Sequence, residues 1–203
     1  MSPPYPWLRA HGSPWSQGPA ERVHDNAWFA VDRYDAIAPT GAKAKYHVHD
    51  QKAWATGVVP LHEDGTITLV GQWRFPFGAY SWEVPEGGVP KDEDILAGIQ
   101  RELAEEAGLQ ARHWRHVLRM QLSNSSSNEV AYGFIAWDLS PTDAHHADDT
   151  EDLARARVPF REALGAVIAG HIVDAITVAL LLRIHHMAVT GELDTALAKA
   201  VLE

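Results

Sequence analysis

The sequence contains no cysteine among its 203 residues, which excludes disulfide bridges and zinc sites built from thiolates. Basic residues are scarce: 17 lysines and arginines stand against 27 aspartates and glutamates, and the net charge is −10 with neutral histidines. Nucleic-acid-binding proteins usually present a basic face, so we expect no nucleic acid partner. An acidic protein that binds a phosphate compound needs a cation between the two, which is a first indication of a divalent metal.

Long hydrophobic runs are missing as well. The most apolar run is Ala175–Leu182, which is far too short to span a bilayer. The opening residues MSPPYPWLRA have no basic start followed by an apolar stretch, so they do not resemble a targeting segment. We therefore expect a soluble cytoplasmic protein without a membrane partner, and the lack of cysteine fits that compartment.

The apolar fraction of 46% is enough for one full-sized domain with a sizeable core. Residues 1–20 are rich in Pro, Gly, Ser and Trp without periodicity, which predicts an irregular arm. Residues 21–60 alternate apolar and polar positions around a turn at Pro39–Gly41, which predicts strands and a hairpin. Residues 61–203 are predicted to form the main domain.

Strands and helices alternate in the main domain without a strict βαβ repeat. The periodicity predicts strands at Thr66–Trp73, Trp82–Val84, Trp114–Leu122 and Val130–Leu139. It predicts helices at about 92–107, Phe160–Ala169, Ile172–Met187 and Glu192–Val201. The polar run Ser123–Asn128 is predicted to be a loop between two strands. This mixture predicts an α/β (α+β) fold, with a mixed sheet flanked by helices.

The helix predicted at about 92–107 places carboxylates where apolar side chains are expected. On a wheel of 100° per residue, an apolar arc runs from Ile95 at zero to roughly 100° and also contains Ile99, Leu103 and Leu96. Glu106 falls at roughly 20°, inside this arc, and Glu102 falls at roughly 340°, on its border. Glu105 falls further out, at roughly 280°. A helix with a solvated acidic face would place its carboxylates opposite the core.

Unpaired buried carboxylates are costly, and neighbouring ones raise each other's pKa, so this arrangement requires a cation. Clustered hard oxygen ligands suit Mg²⁺, Mn²⁺ or Ca²⁺ better than zinc. Arg101 lies on the outer side and can pair with one glutamate. Gly98 lies one turn below Glu102 and Glu105, and we expect it to leave room there. The alternative is a glutamate-rich surface helix with ion pairs at i,i+4 spacing.

The spacing favours the metal site, because residues 87–109 resemble the complete Nudix box of the Nudix hydrolases. Nine of these 23 residues occupy the positions that the box defines: Gly87, Glu93, Arg101, Glu102, Leu103, Glu105, Glu106, Gly108 and Leu109. Three further segments resemble the branch that hydrolyses ADP-ribose and related nucleoside diphosphate sugars: QWR at 72–74, SWEVPEG at 81–87 and GHIVDAIT at 170–177.

The resemblance implies a Nudix-type α/β/α sandwich with a mixed sheet and an N-terminal strand extension. It implies Mg²⁺ or Mn²⁺ as cofactor and a homodimer formed through the N-terminal strands. It assigns the metal to the side chains of Glu102 and Glu106, with Glu105 beside them and the backbone carbonyl of Glu86 as a further ligand. Arg101 is implied to orient a box glutamate, and Glu93 to have a structural role.

The remaining roles lie outside the box. Arg74 is implied to contact phosphate or the terminal sugar, with Glu83 as another substrate-binding residue, although a surface arginine is the alternative. Trp28 and Phe29 are implied to stack on the base, and a buried core aromatic is the alternative. Glu129, after the loop, is preferred as the general base or an additional ligand.

The general base has a rival in Glu105, and Glu129 has the alternative of a solvent-facing strand residue. The implied reaction is hydrolysis of ADP-ribose to AMP and ribose 5-phosphate by metal-activated water. GDP-mannose and a dinucleoside polyphosphate are the alternative substrates, and a non-catalytic nucleotide-binding module is a third possibility. Residues 124–128 lack the proline that many ADP-ribose hydrolases have beyond the box, which weakens the choice of ADP-ribose.

Two histidine pairs, His145-His146 and His185-His186, are not predicted to bind metal. Adjacent residues on a helix point about 100° apart and do not chelate one ion together. The acidic run Asp148–Asp152 lacks the glycine turn and the spacing of a calcium loop.

Overall fold

A computed structural model of the chain describes residues 5, 7, 8, 10–143 and 152–203. The chain divides into two units. The N-terminal unit consists of residues 1–52 together with 123–128, and the main unit consists of residues 53–122 and 129–203. Among the described residues, no helix is long and apolar enough to cross a membrane.

The N-terminal unit is an antiparallel sheet centred on one long strand. Its strands are β1 (Ser16–Gln17), β2 (Glu21–Asp25), β3 (Phe29–Ile37) and β4 (Lys43–Gln51). β3 pairs with β4 along its whole length, and with β1 and β2 along its other edge. The hairpin predicted around Pro39–Gly41 is confirmed, and Gly41 adopts the positive φ of 85° that the turn requires. The arm predicted to be irregular contains the short strand β1.

The loop 123–128 is hydrogen-bonded to β4 within the N-terminal unit. The His49 amide donates to the Ser126 carbonyl at 2.7 Å, and the Asn128 amide donates to the His49 carbonyl at 3.1 Å. The Asn128 side chain accepts from the Gln51 amide at 2.9 Å and donates to Asp50 at 2.6 Å. The polar residues of the loop therefore provide its anchors to β4.

The described residues of the main unit form seven strands and four α-helices. The strands are β5 (Ala53–Pro60), β6 (Thr66–Arg74), β7 (Ala79–Glu83), β8 (Glu86–Pro90), β9 (Leu109–Gln121), β10 (Val130–Pro141) and β11 (Ala154–Pro159). The helices are α1 (Ile95–Ala107), α2 (Phe160–Ile168), α3 (Ala175–Thr190) and α4 (Thr195–Leu202). One sheet has the order β8-β5-β10-β9, with β5 and β10 parallel and the other pairs antiparallel. The other sheet has the order β11-β6-β7.

Helices cover both faces of the mixed sheet. Successive side chains on a strand point to opposite faces, and here both faces carry apolar side chains that pack against helices. On one face, Ile99 and Leu103 of α1 cluster with Val58, Phe134 and Ala136. On the other face, the core contains Leu180 and Ile184 of α3. They cluster with Val59 and Ile135, which lie one position after Val58 and Phe134 on the same strands. The predicted α/β/α sandwich is confirmed.

Three helices begin later than their periodicity predicts, because an aspartate ends the preceding extended segment. Asp94 accepts a hydrogen bond from the Ala97 amide at 2.9 Å, so α1 starts at Ile95. Asp174 and Asp194 accept equivalent bonds from residues 177 and 197, at 2.7 and 3.0 Å, and begin α3 and α4. These are N-caps, whose side-chain oxygens satisfy amides that the first turn leaves unpaired.

Two strands of the main unit were not predicted. β8 has the sequence EGGVP, and glycine and proline at that density are typical of turns. β11 pairs antiparallel with β6, more than 80 residues earlier in the chain. The prediction that Leu96 faces the core is wrong, since this side chain is 37% exposed. It lies at the edge of the predicted arc, in the first turn of α1.

The prediction that Gly98 leaves room beneath the glutamates is also wrong. A Cβ atom on Gly98 would lie 2.3 Å from Cγ2 and 2.5 Å from Cγ1 of Val89. Val89 is fully buried, so it fills the space that the glycine provides. Gly98 therefore allows α1 to approach β8 closely.

Gly98→Ala tests this contact. Overpacking against Val89 is expected to destabilise the fold by about 1–3 kcal/mol. The matched control is Gly165→Ala in α2, where an added Cβ meets no atom within 4 Å. That substitution is expected to stabilise the protein by up to about 1 kcal/mol through helix propensity. Urea unfolding of both variants measures the difference, and a stabilised Gly98→Ala variant would contradict the contact.

Candidate active site on helix α1

The carboxylate of Glu102 lies against the backbone where β8 begins. A Cβ atom on Gly87 would lie 2.3 Å from the Glu102 carboxyl carbon and 2.4 and 2.8 Å from its oxygens. Any other residue at position 87 would displace this carboxylate. Glycine is therefore required at the first position of the box because it leaves space for the side chain of Glu102, fifteen residues later.

Glu106 is a buried carboxylate with a backbone partner. It is 3% exposed, as its position on the wheel predicts, and its Oε2 accepts a hydrogen bond from the Glu86 amide at 2.8 Å. This bond joins the start of β8 to the last turn of α1. Glu86, Glu102 and Glu106, three of the predicted metal-binding residues, are therefore grouped around Gly87.

Arg101 orients two of the box glutamates. Its Nη1 lies 2.9 Å from Glu102 Oε1 and 2.9 Å from Glu105 Oε2, whereas Glu93 is more distant at 3.9 Å. Partial burial opposes the charge of Arg101, but Glu102 and Glu105 outweigh it and raise the pKa of the guanidinium. The arginine faces protein carboxylates, which agrees with the orienting role that the resemblance implies.

Arg155 of β11 holds the C-terminal end of α1. Its Nε donates to the Glu106 carbonyl at 2.5 Å, and its Nη2 donates to the Glu105 carbonyl at 3.3 Å. Carbonyls in the last turn of a helix have no partner within the helix, so the guanidinium satisfies them and complements the helix dipole. Arg155 was not identified from the sequence, because no local pattern links it to a helix 49 residues away.

A second acidic group lies beside this site. Arg74 at the end of β6 donates from Nε to both oxygens of the nearly fully buried Glu83, at 3.0 and 3.1 Å, and from Nη2 to Glu86 Oε1 at 2.9 Å. The Glu83 carboxylate raises the pKa of Arg74. Arg74 is therefore a half-buried partner of carboxylates, and its contact with substrate stays a prediction.

The carboxyl group of Glu86 is buried among like charges. Burial raises the pKa of Glu86 well above its usual range, Asp174 and Glu83 add to this rise, and Arg74 opposes it. Carboxylate oxygens of Glu83, Glu86 and Asp174 lie within 4.8 Å of one another. Neither the side chain of Glu86 nor Asp174 was identified as a site group from the sequence.

Glu129 immediately follows the loop 123–128 and precedes β10. Its side chain is half-buried, and this burial raises the pKa of the carboxyl above its usual range. Its backbone carbonyl accepts from the Leu122 amide at 3.1 Å, which closes the base of the loop. The side chain is therefore partly exposed, and the role of Glu129 stays a prediction.

Trp28 and Phe29 belong to the N-terminal unit. Trp28 is 76% exposed, so the alternative of a buried core aromatic is wrong for it. Phe29 stacks on His49 with ring centroids 5.5 Å apart and planes 10° apart. The histidine pair His185-His186, which was not predicted to bind metal, lies on α3. Neither histidine belongs to the group of close carboxylates formed by the described residues Glu83, Glu86 and Asp174. His145-His146 and residues 148–151 lie outside the described residues.

Comparisons with known proteins identify the family. The Nudix domain family matches residues 51–179, which is more than half of the chain. The chain therefore belongs to the Nudix family.

Several curated relatives are named pyrophosphatases. The chain is 30% identical over 171 residues to an ADP-ribose pyrophosphatase of Mycobacterium tuberculosis (strain ATCC 25618 / H37Rv), covering 82% of this chain and 81% of the relative. It is 27% identical over 150 residues to an ADP-ribose pyrophosphatase of Bacillus subtilis (strain 168), covering 72% and 80%. It is 29% identical over 166 residues to a GDP-mannose pyrophosphatase of Yersinia pestis (strain Pestoides F), covering 76% and 83%.

The fold is also that of a solved structure described as an ADP compounds hydrolase. The TM-score is 0.79, and the match covers 91% of this chain and 100% of the other at 19% identity. At that identity the likeness concerns the fold alone.

Gly87→Ala tests the position of the Glu102 carboxylate. The added methyl group displaces this carboxylate, so the affinity for Mn²⁺ is expected to fall by about tenfold or more. The control is Gly88→Ala, whose Cβ would meet only Ala53 Cβ at an ordinary 3.4 Å. Titration calorimetry with Mn²⁺ measures both variants. Equal affinities for Gly87→Ala and the unmodified protein would show that Glu102 does not hold the ion.

Proposed function

We propose that this Nudix hydrolase cleaves the pyrophosphate bond of a nucleoside diphosphate sugar, with ADP-ribose as the first candidate, using Mg²⁺ or Mn²⁺. The observation that carries the proposal is the grouping of Glu102 and Glu106 around Gly87. A buried carboxylate on an apolar helix face is costly unless a cation compensates it. The box is therefore arranged for metal binding as well as being complete in sequence.

The donor set fits a hard divalent cation. Glu102, Glu106 and Glu105 offer carboxylate oxygens from one helix, and Glu86 offers its backbone carbonyl from β8. Oxygen ligands of this type are those that Mg²⁺ and Mn²⁺ prefer. A bound divalent ion supplies neutralisation of the pyrophosphate oxygens and a lower pKa for a bound water.

The protein's own groups position the substrate and move the proton. Arg101 keeps Glu102 and Glu105 in place through its two contacts of 2.9 Å. Glu129 is proposed to accept the proton of the attacking water, and Glu105 is the rival for this role. Arg74, oriented by Glu83 on its Nε side, is proposed to contact phosphate or the terminal sugar.

Two kinds of support favour the choice of substrate. The relatives include enzymes named for ADP-ribose and for GDP-mannose, and the chain covers about four-fifths of their lengths. The exposed Trp28 offers a face on which a purine base can stack. GDP-mannose is therefore the second candidate, and a dinucleoside polyphosphate is the third. A homodimer through the N-terminal strands and a cytoplasmic location stay predictions.

A panel of nucleotide sugars with Mg²⁺ or Mn²⁺ tests the substrate. The expected result is conversion of ADP-ribose to AMP and ribose 5-phosphate, measured by chromatography of the products. Glu106→Gln is expected to reduce kcat by at least about a hundredfold, because the buried site loses its charge. Glu162→Gln on the exposed side of α2 is the control and is expected to retain full activity. No turnover of any diphosphate-linked nucleotide would refute the proposed function.

Glu129→Gln tests the general base and is expected to reduce kcat by about 10²–10⁴-fold. Only the ionised carboxylate accepts a proton, so activity falls as the pH drops through the pKa of Glu129. Because burial raises this pKa, the acid limb of kcat/KM is expected above the usual glutamate range and should vanish in Glu129→Gln. If that variant keeps the rate and the limb while Glu105→Gln loses both, Glu105 is the base.

A further inference from the structure

We infer that Glu83, Glu86 and Asp174 form a second divalent-cation site, separate from the one proposed on α1. We call these three residues the carboxylate cluster. They come from the end of β7, the start of β8 and the residue before α3. One carboxylate oxygen from each lies within 4.8 Å of the other two. The inference concerns cation binding and does not require the chain to hydrolyse a particular substrate.

The charges of the carboxylate cluster are not balanced by the protein groups that contact it. Among the described residues, the three carboxyl groups meet one guanidinium, that of Arg74, which contacts Glu83 and Glu86. Asp174 is paired with a neutral group, since its Oδ2 accepts from the Thr177 amide at 2.7 Å. Carboxylates that bind a cation are ionised, and in that state two negative charges remain, which is the charge that one divalent cation neutralises.

An independent observation points to a missing ligand. Oε2 of Glu86 is buried and has no hydrogen-bond partner among the described residues, while Arg74 contacts the other oxygen, Oε1. The Glu86 side chain is only 12% exposed, so solvent does not replace the partner. A buried acceptor without a partner is destabilising. A cation bound by the carboxylate cluster gives this oxygen a partner.

The dimensions of the carboxylate cluster suit a single ion. Oxygen ligands lie about 2.0–2.6 Å from Mg²⁺ or Ca²⁺, so two oxygens on opposite sides of one ion are about 4–5 Å apart. The separations are at most 4.8 Å, so they do not exceed the distance that one ion can span. All of the ligand atoms are carboxylate oxygens, which favour hard cations.

The backbone around the carboxylate cluster is held in place. The Val84 amide, between β7 and β8, donates to the buried Thr177 hydroxyl at 3.0 Å. Thr177 also donates its amide to Asp174, so one residue of α3 fixes both sides of the site. This fixed backbone limits the rearrangement that binding requires.

Glu86 joins the carboxylate cluster to the site on α1 without merging them. Its amide donates to Glu106, while its side chain contacts Arg74 and lies near Asp174. A side-chain substitution at position 86 therefore changes the carboxylate cluster and keeps the backbone groups that serve the α1 site.

Counting bound Mn²⁺ on the full chain by titration calorimetry and electron paramagnetic resonance tests the inference. Glu86→Gln is expected to bind one Mn²⁺ fewer per chain, or to bind it about tenfold or more weakly. Asp174→Asn, which retains an oxygen for the helix cap, is expected to weaken the same ion. Melting temperatures of the variants confirm that they fold. An unchanged number of ions with unchanged affinities in both variants would overturn the inference.

Two matched controls exclude a general effect of lost charge. Glu192→Gln removes a carboxylate that is paired with Arg183, as Glu86 is paired with Arg74. Asp194→Asn changes a helix cap equivalent to Asp174. Both controls are expected to bind Mn²⁺ as the unmodified protein does. Loss of the same ion in the controls would also overturn the inference.

A double variant separates this inference from the proposed function. Glu102→Gln with Glu106→Gln is expected to lose turnover and the ion on α1 while it still binds one Mn²⁺ at the carboxylate cluster. If the folded double variant binds no Mn²⁺, the carboxylate cluster is not a site of its own. If the unmodified protein binds Mn²⁺ at the carboxylate cluster but hydrolyses no nucleotide, the proposed function fails and the cation site stands.

Discussion

The Glu106 carboxylate is buried on the face of α1 that also carries Ile99 and Leu103, and the surrounding structure depends on holding it there. The Glu86 amide supplies one hydrogen bond at 2.8 Å, which fixes the start of β8 against the last turn of the helix. Arg155 fixes the same turn by donating hydrogen bonds to its carbonyls. Burying an acidic group in an apolar packing layer is costly, and these contacts with β8 and β11 help to hold the carboxylate there.

Close backbone approach is the second constraint. Gly98 lets α1 lie against Val89, and Gly87 lets the Glu102 carboxylate lie against the start of β8. Both contacts bring the helix and this strand nearer than side chains would allow. The short distance between them places the Glu86 amide of β8 within hydrogen-bonding distance of the Glu106 carboxylate of α1.

Much of the site could be predicted from local sequence, and the exceptions have a common cause. The wheel placed Glu106 inward because a helix repeats at a known angle, and the structure agrees. The wheel predicted free space at Gly98, where Val89 of β8 packs, because a wheel describes one helix and not the strand beside it. Arg155 and Asp174 act on partners that lie 49 and 88 residues away, in α1 and at Glu86. Contacts at such separations are set by the packing of elements, which periodicity does not describe.

Glu86 connects the two acidic groups through different atoms, and this has an electrostatic consequence. The Glu86 amide donates a hydrogen bond to Glu106. The Glu86 side chain lies on the other side, near Arg74 and Asp174. A cation on either side of this residue attracts the carboxylates of both groups, because charges interact strongly where water is excluded. A positive ion in the carboxylate cluster would weaken the hold of Glu86 on Arg74. The guanidinium would then be freer to meet a phosphate, which links occupancy of the carboxylate cluster to the substrate-binding role proposed for Arg74.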